Sequence, residues 1–201
     1  MFKKMLFISV PIITIMILVL IAYPGSSSGE SNFVSTTKIE NFTLVDLYGN
    51  NQSLKDYNDE KAIVVIFIAT RCPVSNAYNT RMVELYNKYH DKNIAILGIN
   101  SNKTEDIDEC KTHSEEHGFK FPVLKDEKNV IADMFEASYT PEAYVLNSKT
   151  LEILYHGRID DSREESNVEV ADLSNALDEI IGGEKISVAK TKAFGCTIKR
   201  I

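Results

Sequence analysis

Apolar residues along the chain follow two rhythms. Ala62 to Ala69 is an unbroken apolar run rich in β-branched side chains, and Ile94 to Ile99 is a second, interrupted only by Gly98. Both read as strands buried on two faces. Phe42 to Leu47 predicts a shorter strand entering a turn at Gly49 and Asn50. Between the two long runs the spacing changes. Pro73 suits a first helical turn, and Val74, Ala77, Tyr78, Met82, Leu85, Tyr86 and Tyr89 then recur on one face, predicting one helix that ends near His90. Thr104 to His117 reads as a polar helix stopped at Gly118, Asn129 to Phe135 as a short helix, and Val170 to Ile181 as a closing helix before Gly182 and Gly183. Ala143 to Leu146 and Ile153 to Tyr155 predict two strands around a turn at Asn147 to Lys149. Strands alternating with helices, then a hairpin and a helix, give a three-layer α/β sandwich. There is no internal repeat and no phosphate-cradling glycine loop.

The first residues obey a different pattern. Lys3 and Lys4 precede Met5 to Tyr23, a stretch without charge, the layout of an export signal or a signal anchor. Its length leans toward an anchor retained in the membrane, with the rest of the chain extracytoplasmic. Pro11 within the run and the small residues Ser26, Ser27, Ser28 and Gly29 leave cleavage open. Residues 1–29 are therefore set apart, with linker character over Pro24 to Asn32. Residues 30–185 form the folded domain, and residues 186–201 a tail carrying Cys196. From Glu30 onward 29 acids face 20 bases, which argues against nucleic acid as a partner. Three cysteines are too few for a disulfide scaffold and lack zinc-ligand spacing.

Chemistry concentrates in Phe67 to Tyr78, FIATRCPVSNAY. A buried strand runs through a turn into Cys72 at a helix start, where unpaired N–H groups and the helix dipole favour thiolate over thiol. Arg71 beside it adds positive charge. Such a thiolate attacks a disulfide sulfur or a peroxide oxygen.

The stretch FIATRCPVS resembles the active-site segment of the thioredoxin superfamily, in particular the TlpA- and ResA-like reductases. CPVSNAY with Arg81, GINSN at Gly98 to Asn102, GRIDDSR at Gly157 to Arg163 and GCTIKR at Gly195 to Arg200 resemble, in order, the peroxiredoxin-like or redoxin-domain (AhpC/TSA-related) branch. The resemblance implies a thioredoxin-like α/β/α sandwich with a central mixed sheet. It makes Cys72 the attacking thiol, with Ser75 in place of the second cysteine of the redox motif, its hydroxyl either a donor to the thiolate or a plain helix-start group. Thr140 and Pro141 fall where that fold places a cis-proline loop, an ordinary trans turn being the alternative. Cys196, a tail cysteine after a helix and a loose segment, is the best candidate for the resolving thiol; Cys110 is its rival. Arg158, Asp160 and Asp161 read as a structural ion-pair loop.

Two departures narrow the implication. Peroxiredoxins carry threonine three residues before the peroxidatic cysteine, after a proline; here the position is Ala69, with Thr70 one step too close and no proline before it. Fast peroxide reduction is not expected, nor is a self-contained dithiol at the helix. His113 and His117 share a helix face and read as solvated rather than metal-binding. The expectation is a thiol-dependent oxidoreductase needing no cofactor, acting on protein or small-molecule thiols, disulfides or peroxide, with an external thiol as reductant. A non-catalytic binding module and a metal- or cytochrome-maturation accessory are the alternatives.

Overall fold

The computed structural model describes residues 37–201. The predicted signal or anchor segment lies outside the described residues, and among those described no helix is long and apolar enough to cross a membrane.

The strands are β1 (Thr43–Val45), β2 (Asn51–Ser53), β3 (Ala62–Phe67), β4 (Ile94–Asn100), β5 (Val123–Lys125), β6 (Tyr139–Thr140), β7 (Glu142–Asn147), β8 (Ile153–Gly157) and β9 (Cys196–Thr197). The helices are α1 (Pro73–Asn76), α2 (Asn79–Tyr89), α3 (Ile107–Glu116), α4 (Val130–Met134) and α5 (Asp172–Gly182). Five strands form the central sheet in the order β5-β4-β3-β7-β8. β3, β4 and β5 run parallel, and β7 and β8 are antiparallel to their neighbours. The sheet is mixed, as the resemblance implied.

Alternation along β3 divides the core. Ala62, Val64 and Ile66 face Met82, Leu85 and Tyr89 of α2 and Leu173, Ala176 and Leu177 of α5. Ile63, Val65 and Phe67 face Leu54, Ile131, Ala132 and Phe135. A strand with side chains packed on both faces must be apolar throughout, which is why this run showed no polar break. The sheet edges are covered: Asp46 bridges to Leu124 of β5, and residues near Lys190 run beside His156 of β8.

The structure differs from the sequence expectation in two places. The single helix predicted from Pro73 to His90 is broken. α1 ends at Asn76, with Ala77 as its C-cap, and α2 restarts after Tyr78. There the Arg81 guanidinium donates to the Ala77 carbonyl at 3.1 Å, and the Tyr78 hydroxyl is tied to Asp160 at 2.9 Å. The short strands β2, β5, β6 and β9 went unpredicted, because two or three residues carry no legible period. The end of the tail is ordered: β9 pairs antiparallel with β6, Tyr139 opposite Thr197 and Thr140 opposite Cys196.

Candidate functional site

β3 delivers the chain to the site. After Phe67, the Ile68 N–H still bonds the Ile99 carbonyl at 2.9 Å, so the strand direction persists to the loop 69–71. Within that loop the N–H groups of Thr70 and Arg71 both donate to the carboxylate of Glu105, at 2.9 and 3.1 Å. Glu105 is buried and also accepts from the Asn100 side chain at 2.6 Å. One carboxylate thus fixes the two amides that precede the cysteine. Nothing in the sequence singled it out, because an acid near a helix start reads as a helix-favouring charge.

Cys72 is the N-cap of α1, with extended backbone at φ −87° and ψ 115°, and Pro73 is the first helical residue. The Ser75 backbone N–H donates to Cys72 Sγ at 3.3 Å. The Ser75 side chain accepts from the Ala69 N–H at 3.1 Å, which ties α1 to the end of the strand. α1 is one turn, so no long helix dipole stands behind Cys72, and the Ser75 N–H is the backbone donor aimed at its sulfur. Arg71 is tied to a carboxylate. Its guanidinium is bonded to Glu109, with Nε 2.8 Å from Oε1, and the Thr70 hydroxyl is bound to the same carboxylate. The bond from Arg71 holds the Glu109 carboxyl below its usual range. The cation is therefore paired with Glu109 at the rim of the cavity that Cys72 also lines.

The Thr140–Pro141 peptide is cis, and the Thr140 carbonyl oxygen lies 3.4 Å from Cys72 Sγ. Glu142 holds this loop from behind, accepting from the N–H groups of Ser138 and Tyr139 at 2.7 and 2.9 Å and from His156 Nε2 at 2.6 Å. Burial would raise its carboxyl, but His156 and the two backbone donors hold it below the ordinary value.

Cys72 is disulfide-bonded to Cys196, with Cα atoms 5.9 Å apart across a sequence separation of 124. That spacing lies inside the range a disulfide spans. Cys110 stands apart, buried in the core on α3, and burial pushes its thiol up to about 12. A cavity of about 270 Å³ opens beside the bridge, lined by Ala69, Cys72, Asn102, Glu105, Cys196 and Lys199 among others. His113 contacts the Asn79 side chain at 3.2 Å, and the described residues include no cluster of three metal-ligating side chains.

Gly195 lets the tail approach. A Cβ there would overlap the Thr140 carbonyl, lying 2.7 Å from its carbon. Gly195→Ala is expected to push Cys196 away from Cys72 and to destabilise the oxidised protein by about 1–3 kcal/mol. Free-thiol titration after oxidation, with urea unfolding, reads this; complete disulfide formation at an unchanged midpoint would show that the close approach is not needed.

The AhpC/TSA family model matches residues 36–155. Over 125 residues the chain is 26% identical to the thiol-disulfide oxidoreductase ResA of Bacillus cereus, covering 62% of this chain and 70% of that protein. A 64-residue stretch is 36% identical to the probable glutathione peroxidase 8 of Arabidopsis thaliana, covering 32% of this chain and 38% of the plant protein, so the match spans little more than a third of that relative. Among solved structures, the hypothetical protein SMc02350 from Sinorhizobium meliloti superposes with a TM-score of 0.77 at 28% identity, over 83% of this chain and 94% of that one. With the family match running through more than half of its length, from the first described residues to β8, this thioredoxin-like chain belongs to the AhpC/TSA family.

Proposed function

We propose that the protein is a thiol-disulfide oxidoreductase in which Cys72 is the nucleophile and Cys196 the resolving thiol. The observation that carries this reading is the Cys72–Cys196 bridge beside the Thr140–Pro141 loop, with the Ser75 N–H directed at Cys72 Sγ. The cycle balances without a cofactor. Cys72 thiolate attacks a substrate disulfide, forming a mixed disulfide and expelling one substrate thiolate. Cys196 thiolate then attacks Cys72 Sγ, expelling the second and closing the internal bridge. An external thiol opens it at Cys196, the less buried cysteine, so that Cys72 leaves as the thiolate that the Ser75 N–H accommodates, and a second external thiol takes the adduct off Cys196 as a disulfide, returning both cysteines to thiols. Thr140 and Pro141 set the wall against which the sulfur works, and Thr70 and Arg71 hold the loop through Glu105 and Glu109.

Disulfide is favoured over peroxide as substrate. Ala69 offers no hydroxyl, and the Thr70 hydroxyl is committed to Glu109. The cationic start and uncharged run of residues 5–23 support an extracytoplasmic site of action, with membrane attachment where that segment is retained; a stable disulfide accords with such a compartment.

Mass spectrometry after limiting oxidised glutathione or hydrogen peroxide tests the assignment. The Cys72–Cys196 disulfide is expected in the wild type, and a glutathione adduct trapped on Cys72 in Cys196→Ser. A sulfenic acid on Cys72 forming faster than that adduct would instead make peroxide the substrate. Alkylation of Cys72 at the rate of an unfolded thiol, with neither adduct, would remove the enzymatic reading.

A further inference from the structure

We infer that the C-terminal tail is a fixed roof over Cys72 that restricts the site to low-molecular-weight disulfides and keeps folded protein disulfides out. The inference rests on the oxidoreductase reading and names the substrate class of the same site. Cys72 is only 4% exposed, and the segment covering it is held by bonds that do not involve the cysteines. The Ile198 N–H donates to the Ser138 carbonyl at 3.0 Å, and its side chain is buried in the core on the α4 face of the sheet. Lys199 is held on both sides of its peptide, its N–H on Asn102 Oδ1 at 2.8 Å and its carbonyl on the Lys103 N–H at 2.9 Å. The Arg200 guanidinium reaches Asp133 at 2.6 Å and the Ala137 carbonyl. On the other side of Cys196, Phe194 packs edge-on against Tyr78. None of these contacts includes a cysteine sulfur.

The consequence is geometric. To bond Cys72, a cysteine carried on a polypeptide must bring its Cα within about 7 Å, and the tail already runs there with Cys196 paired opposite Thr140. A protein client would have to displace β9 together with the Ile198 plug. The cavity of about 270 Å³ beside the bridge admits a small molecule with the tail in place. Cys72 thiolate attacks the small disulfide R–S–S–R and releases RS⁻; Cys196 thiolate attacks Cys72 Sγ and releases the second RS⁻. The protein loses two electrons and two protons, and the substrate leaves as two thiols.

The test traps the first step. In full-length Cys196→Ser, mixed-disulfide formation at Cys72 is timed by mass spectrometry with bis(2-hydroxyethyl) disulfide and with insulin. Adding Ile198→Asp and Arg200→Ala loosens the roof without touching the sulfur chemistry. The small disulfide is expected to react at least about tenfold faster than insulin when the tail is docked, and the loosened tail to raise the insulin rate about tenfold or more, given the burial of one isoleucine. Equal rates for the two substrates with the tail docked overturn the inference, and this comparison stands even where the loosened variant fails to fold. An insulin rate unmoved in a folded loosened variant overturns it too. Absence of any adduct from either substrate removes the underlying oxidoreductase reading, and the inference with it.

Discussion

Cys72→Ser is expected to lower disulfide turnover by more than about a thousandfold, because removing the atom that forms the covalent intermediate removes the reaction path rather than tuning it. Serine at this N-cap keeps the hydrogen bond from the Ser75 N–H, so fold and cavity should survive while no mixed disulfide forms. Cys196→Ser behaves differently: the first attack proceeds, the mixed disulfide persists, and turnover depends on an external thiol to release it. Cys110→Ala serves as the control, since that thiol is buried and pushed up to about 12. Its turnover should stay within about twofold of wild type, with a stability loss of about 1 kcal/mol for the small cavity left behind. Steady-state reduction of bis(2-hydroxyethyl) disulfide separates the three. More than a tenth of wild-type activity in Cys72→Ser, or a collapse in Cys110→Ala, would relocate the nucleophile.

The parts of this architecture legible in sequence are those fixed by long periodic stretches. β3, β4 and α2 announce themselves because burial on two faces, or on one helical stripe, leaves a pattern in consecutive residues. The position of Cys72 was legible for the same reason, sitting where strand pattern gives way to proline. What stayed hidden depends on contacts between distant segments. β9 is a strand because Cys196 and Thr197 lie against Tyr139 and Thr140, and two residues carry no period of their own. Glu105 and Glu142 look like ordinary surface acids, yet each gathers backbone N–H groups of a loop that shapes the site. Three of the ordered segments now have structural work attached. Asn102 of GINSN receives the tail through Lys199. GCTIKR supplies the close-approach glycine, the sulfur, the Ile198 plug and the Arg200 anchor. GRIDDSR contributes Asp160 to a buried pair and Arg158 to a pair with Asp172 at 2.7 Å.

That buried pair carries the largest expected effect on stability. The Arg81 and Asp160 side chains are 8% and 5% exposed, and Arg81 Nη1 lies 2.6 Å from Asp160 Oδ2. The guanidinium stacks 3.6 Å over the Tyr78 ring and also donates to the carbonyls of Ala77, Ser162 and Arg163. Burial, then the negative charge of Asp160, raise the Tyr78 hydroxyl above its ordinary value, keeping it a donor to that carboxylate. Asp160→Ala would leave a buried cation with carbonyl dipoles and the Tyr78 ring but no counter-charge, and is expected to cost about 3–5 kcal/mol. Arg81→Met with Asp160→Leu removes both charges together and should cost less than Asp160→Ala alone, since no uncompensated ion remains. Urea unfolding of the two variants and wild type measures this, and a loss below about 1 kcal/mol for Asp160→Ala would mean that water reaches the pair. Because Tyr78 and Arg81 also set the break between α1 and α2, the loss should reach the site. The Asp160→Ala protein, where still folded, should close the Cys72–Cys196 disulfide more slowly than wild type, as α1 loses the restraint that fixes its cysteine.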